Sequence, residues 1–261
     1  MITYTTPSIE KKQLSIKEEV KNTPNFPIAM KNQFDEMIKR YEDDFDYIGK
    51  YDILSMYYAD IAKKYLIAKD TQNFKGYCYL SGKSAQICVL LYEKGKRTYM
   101  SLTNESLETR KNVFHYAQWA LMANSNDVAL YITLEDSLLG SLIIKDYEKA
   151  KKYLPENIDD IKSKSFIDEM LWSIAYGDEK IFNRYLEKRI KMLRRQKRQG
   201  LTSYYYFDEF GLALTKLAIT RGLECHVNVA ELPWELLDDE SINEEIWKLP
   251  EDKEVEKILT A

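Results

Sequence analysis

Residues 76–96, GYCYLSGKSAQICVLLYEKGK, decide between two folds. Gly76, Gly82, Lys83 and Ser84 suggest a phosphate-binding loop, which would place a parallel sheet beneath them. Such a loop needs four residues between its first glycine and the Gly-Lys-Ser, so that backbone N–H groups wrap the phosphates while the lysine reaches the outer ones. Here five intervene. The preceding KDTQNFK is too polar for a buried central strand, and Tyr77, Cys78 and Tyr79 would crowd an anion nest. The stretch therefore opens a helix that continues as SAQICVLLYEKGK and stops near Gly95, with Ser84, Ile87, Cys88 and Leu91 on one face.

The same periodicity runs outward in both directions. Met30, Phe34, Met37, Ile38, Tyr41, Phe45 and Ile48 form one stripe that Gly49 is expected to end. Leu54, Tyr57, Tyr58, Ile61, Ala62, Tyr65 and Leu66 form a second that runs out in KDTQN. Further helices are predicted around Val113–Leu121, from Asp127, over DYEKAKKYLP, and around Met170, Leu186 and Leu214. TYMSL and HVNV carry weak strand patterns without hairpin chemistry. WALMANSNDVALYI (119–132) and WSIAYGDEKIFNRYL (172–186) each place a Trp-bearing helix before a short polar turn and a second helix. In the latter, Gly177 suits a left-handed C′ position and Asp178 the next N-cap. The expected fold is all-α, a repeat-like helical superhelix of stacked antiparallel helix pairs. Its domains would be an N-terminal arm over 1–28, a helical body over 29–240 and an acidic segment over 241–261.

Composition narrows the function classes. Charged residues make up 31% and apolar ones 45% of 261 residues, with 9 Gly and 6 Pro, as in globular chains rather than disordered or low-complexity ones. A net charge of -4 gives no whole-protein attraction to nucleic acid or anionic lipid. Cys78, Cys88 and Cys225 lack paired spacing, which argues against a disulfide framework or zinc site, and the start MITYTTPSIEKK lacks a leader pattern. A cytoplasmic protein with no membrane or nucleic-acid partner and no cofactor is expected. The charge is polarised, however. From Glu224 onward there are 12 acidic and 3 basic residues.

No catalytic set emerges. His115 lies in a helix without the spacing of a zinc-protease motif, and Cys225 and His226, as neighbours, point apart. The carboxylate clusters YEDDFDY and LLDDESINEE lack the pattern of a calcium loop. KRIKMLRRQKRQG reads as a solvated face near a helix C-terminus, or as a contact for an acidic partner or the chain's own acidic tail. SYYYFDEFG reads as core packing, with tyrosines left over as contact anchors.

FGLALTKLAITRGLECHVNVAELPWELLD (210–238) resembles the C-terminal signature of immunity-protein family forty-nine, from bacterial polymorphic toxin systems. The matching residues are Ala213, Leu214, Leu217, Ala218, Arg221, Gly222, Val227, Val229, Leu232, Pro233, Leu236 and Leu237; SGKSAQICVLLYEKGK and the two Trp-turn segments are similar to the family's middle. The N-terminal arm, Trp234 and the acidic end depart from that pattern. The resemblance implies a non-enzymatic protein that neutralises a cognate toxin domain by stoichiometric contact. Against a nuclease toxin, the acidic end would cover a positive cleft. The candidate contact residues are Trp234, Glu235, Asp238, Asp239, Glu240, Glu244 and Glu245. The alternative is a helical-repeat scaffold that binds peptides and is unrelated to toxins.

Overall fold

The computed structural model describes residues 7–22, 32, 35–36, 46–98, 103, 105, 107, 113–161, 165–198, 207–229, 231–234, 237, 240 and 242–261. Eleven α-helices with complete bounds follow one another: α1 (Pro7–Asn22), α2 (Tyr47–Ala68), α3 (Thr71–Glu93), α4 (Val113–Met122), α5 (Asn126–Thr133), α6 (Leu138–Ile143), α7 (Tyr147–Lys151), α8 (Ile167–Tyr176), α9 (Glu179–Arg198), α10 (Glu209–Arg221) and α11 (Lys253–Thr260). The fold is all-α, as the periodicity predicts. Outside the helices the backbone forms an isolated antiparallel bridge, Val229 to Leu232, at the end of HVNV. Of TYMSL only Thr98 is described, and of the stripe from Met30 only Ile48.

The chain forms two compact units, residues 16–133 with 239–261 and residues 1–15 with 134–238. The acidic C-terminal segment groups with α2 and α3, and it ends in a helix. Within the N-terminal arm Pro7–Asn22 is helical, and Ile16 of α1 is buried. Gly49 does not end a helix. It sits in the first turn of α2, where its N–H donates to the Asp46 carboxylate at 2.8 Å.

One turn recurs at the helix ends. Lys69, Asn124, Lys145 and Gly177 all have left-handed backbones, with φ of 62°, 63°, 65° and 74°. In each case the next residue donates its N–H back to the carbonyl five positions earlier: Asp70 to Tyr65, Ser125 to Ala120, Asp146 to Ser141 and Asp178 to Ser173, at 2.8–3.0 Å. This closes the helix and reverses the chain. Asp70, Asp146 and Asp178 then cap the following helix, accepting from the N–H of Asn73, Lys149 and Ile181 at 2.9–3.1 Å. The turn therefore joins α2 to α3, α4 to α5, α6 to α7 and α8 to α9. The two Trp-bearing segments are two of these four pairs. Their helices are unequal, 22 and 23, 10 and 8, 6 and 5, and 10 and 20 residues, so no regular repeat is read from them.

In the α2–α3 unit the two long helices pack along their length over Ile48, Ile61, Leu66, Phe74, Cys88 and Leu91, all nearly inaccessible. Ser55 and Ser81 donate to each other's backbone carbonyls at 3.0 and 2.9 Å, which satisfies two hydroxyls in a dry interface. Gly82 faces α4, where a Cβ would come within 2.8 Å of that of Ala120. The P-loop-like glycines are thus mid-helix notches, and α3 starts at Thr71, several residues before the expected opening. In the α8–α10 unit the core gathers Met170, Ile174, Phe182, Leu186, Leu212, Leu214 and Leu232.

Three of the four left-handed positions carry a side chain, which costs about 1 kcal/mol at such a φ. Lys69 and Lys145 are exposed, so nothing else is lost on truncation. Lys145→Gly is expected to raise stability by roughly 0.5–1 kcal/mol, and Gly177→Ala to lower it by a similar amount, both read by thermal melting.

Candidate functional site

The acidic segment 240–252 has no helix among its described residues and is fixed to α3 by a series of anchors. Lys75, buried in α3, donates its Nζ to the Glu240 carbonyl at 2.9 Å, and Asn124, in the turn after α4, donates to the same oxygen at 2.7 Å. One turn further along α3, the Tyr79 hydroxyl donates to the Glu244 carboxylate at 2.9 Å, and Ser125 reaches the other oxygen at 3.5 Å. Burial and then the hydrogen bond to Glu244 and its charge push the Tyr79 phenol well above its ordinary range. The Trp247 ring meets Tyr77 edge-on at 5.2 Å, and Tyr77 stacks on Tyr65. Trp247 also covers Gly76, where a Cβ would overlap the indole. Glycine in a helix interior costs about 0.5–1 kcal/mol relative to alanine, and here it makes the indole seat.

The segment closes on α2. Asp252 accepts from the N–H of Val255, capping α11, and from Lys50 Nζ at 2.8 Å. Burial works to raise the Asp252 pKa, but the Lys50 and backbone hydrogen bonds prevail and hold it below the usual carboxylate range. Tyr47 donates to Glu254 at 2.6 Å, and Val255 is buried. Between these anchors the segment presents Glu245 and Ile246 to solvent, with Ile246 68% exposed.

The residues expected to make partner contacts are distributed as follows. Glu240, Glu244 and Glu245 come together on the α2–α3 unit, the first two held in place by α3 and the turn after α4. Trp234 belongs to the other unit, where its Nε1 donates to the Val227 carbonyl at 2.9 Å. Glu235, Asp238 and Asp239 lie outside the described residues. Glu231, just before those candidates in the acidic C-terminal stretch, is buried against Arg194, which donates two hydrogen bonds to its carboxylate at 2.7 and 2.9 Å. Arg189 likewise grips Asp208 at 2.6 and 2.7 Å, with both side chains almost wholly buried. Removing one partner of such a pair costs about 3–5 kcal/mol. Part of the basic run thus serves the chain's own acids.

Two further polar clusters are notable. His226 pairs its Nε2 with Glu179 at 3.0 Å, and the other Glu179 oxygen accepts from the N–H of Glu224. Those hydrogen bonds, backbone first, hold the Glu179 carboxyl below its ordinary range. The three side chains offer atoms within 4.8 Å of one another, a spacing a divalent cation could bridge. Cys225 turns its sulfur toward the Val227 carbonyl, so it and His226 form no dyad. All three cysteines are free thiols. In α2, buried Asp52 accepts from Tyr116 at 3.1 Å and Thr103 at 3.4 Å. His115 is exposed and meets Tyr116 edge-on.

Lys75, Tyr79 and Gly76 were not singled out as site residues by the sequence. Their one signal is the pair of mid-helix glycines, which reads as a loop until α3 is seen to be continuous. No protein-family model matches this chain, and no curated protein or solved structure does either. No described helix is long and apolar enough to cross a membrane.

Gly76→Ala is expected to dislodge Trp247, since overpacking costs about 1–3 kcal/mol against a smaller gain in helix propensity. The measurement is a red shift in tryptophan emission with α-helix content retained. Burial raises the Asp52 pKa against the opposing hydrogen bonds from Tyr116 and Thr103. Its ionisation therefore opposes folding, a penalty absent below about pH 4 and growing as pH rises through the elevated folded value. Asp52→Asn should thus improve stability, relative to the parent chain, more at pH 7 than at pH 3 in urea titrations.

Proposed function

We propose that this chain is a cytoplasmic immunity protein that neutralises a toxin domain by stoichiometric contact, with the segment 240–256 as its contact surface. The observation that carries the reading is Ile246, a large apolar side chain left 68% exposed on a segment fixed on both sides. Glu244 is held by Tyr79 and Ser125 on one side, and Trp247 is seated on Gly76 on the other. A rigidly presented aliphatic side chain among carboxylates has the form of an interface hot spot with a charged rim. Exposed Glu245, Glu251, Glu254 and Glu256 supply that rim. A cationic substrate cleft, such as a nuclease toxin would have, fits this chemistry and would be steered toward it.

The resemblance to the immunity family supports the same reading through the fold. Leu214, Leu217, Ala218, Val227, Val229 and Leu232 are all buried, and Leu232 packs against Gly211 of α10. These six matching residues therefore shape the body, and the contact chemistry falls on the segment that departs from the family pattern. Trp234, tied to Val227, is assigned to the body.

Co-expression with the product of the adjacent gene tests the class: a toxic product, and survival that depends on this chain, are expected. Ile246→Asp should abolish protection while leaving the melting temperature unchanged, because the side chain is already in water. Glu245→Lys with Glu251→Lys should slow association at least tenfold at low salt and much less at high salt. Full protection by the Ile246→Asp chain would remove this surface from the proposal.

A further inference from the structure

The basic run that reads from sequence as a solvated face is divided by α9 into two functions. Arg189 and Arg194 turn inward to Asp208 and Glu231. Lys180, Arg184, Lys188, Lys191 and Arg195 are all exposed. At 100° per residue these five fall within an arc of about 80°, opposite buried Phe182, Leu186 and Arg189, and at 1.5 Å per residue they form a row roughly 22 Å long. Lys191 reaches the half-buried Glu187 at 3.3 Å. Among the described residues Lys180, Arg184, Lys188 and Arg195 have no ion-pair partner. Glu179 at the head of the helix is already engaged by His226 and the Glu224 N–H.

We infer that this outward face of α9 binds single-stranded nucleic acid through its phosphates. A linear row of cations at steps of about 4.5–6 Å suits a linear polyanion. A membrane surface would also call for apolar side chains beside the cations, and every strongly exposed large apolar residue among those described lies off α9. Tyr185 borders the row on its inward side, its ring beside Phe166 at 6.0 Å and beneath the Arg184 guanidinium at 5.0 Å and the Lys188 ammonium at 4.3 Å. The ring holds two of the row's cations in place, which suits the evenly spaced phosphates of a polynucleotide better than the irregular charges of an acidic peptide. The two buried arginine clamps hold the helix rigid, so the row is preorganised. The net charge of -4 hides this row because the acids that outweigh it lie elsewhere in the chain.

Fluorescence anisotropy of a labelled mixed-sequence single-stranded RNA with the full chain tests the inference. Engagement of about four phosphates predicts a salt slope near -3, so affinity should fall roughly 50-fold between about 50 and 200 mM salt. Arg184→Glu with Lys188→Glu should remove binding at least tenfold more than Lys248→Glu with Lys257→Glu, a control on the other unit. Tyr185→Leu should weaken binding without changing the salt slope. The Arg184 and Lys188 changes lie on the exposed face, and an unchanged melting temperature confirms that the fold is intact. Absence of binding at about 50 mM salt would overturn the proposal, as would binding that ignores the charge reversals. Retention of polyglutamate or anionic vesicles in place of the RNA would equally overturn it, assigning the row to an acidic protein or a lipid surface.

Discussion

Each helix pair depends on one constraint: the chain must leave a helix through a left-handed residue that lets the next N–H return to the carbonyl five positions back. At Lys69, Asn124, Lys145 and Gly177 that bond satisfies carbonyls that would otherwise be orphaned, and it reverses the chain within two residues. Three of the four turns also end on an aspartate that caps the next helix, so one helix is closed and the next is opened in a single step. The close packing of α2 on α3 follows from it. With no slack in the connection, the Ser55 and Ser81 hydroxyls come opposite each other and the small residues of α3 meet their neighbours directly.

Charge is handled by the same economy. α9 sends two arginines into dry surroundings, where each meets a carboxylate through two hydrogen bonds, and leaves five cations in water. Bidentate geometry is what makes the buried pairs tolerable, since an unpaired charge there would cost several kcal/mol. The acidic end is divided likewise. Glu231 is spent inside the body, Asp252 caps α11 and holds Lys50, and Glu245 and Glu251 stay in water. A run of like charges in the sequence therefore mixes structural and free groups, and only their partners separate them.

Much of the helical reading was legible because burial on one face imposes a 3.6-residue period, and the Gly177–Asp178 turn was legible because glycine and aspartate are the residues that such a turn favours. Lys69 and Lys145 gave no such signal. Lysine is disfavoured in a left-handed conformation, and the long-range packing of the helices overrides the local cost. Gly49 misled for the complementary reason: Asp46 captures its N–H and makes it the start of a helix. At the candidate site, the acidity of the segment was legible and its seat was not. Nothing local links Glu244 to Tyr79 or Trp247 to Gly76, more than 160 residues apart.

The sequence by itself determined that this is an all-α chain without a phosphate loop, because the spacing between glycines and the polarity before Gly76 forbid the alternative. It also determined that positive and negative charge are concentrated in separate stretches. Only the tertiary structure decided that Gly76 is a seat for an indole, which of the arginines face inward, and that Ile246 is left in water. Those outcomes depend on contacts between residues far apart in the chain, and local propensity and periodicity carry no information about them.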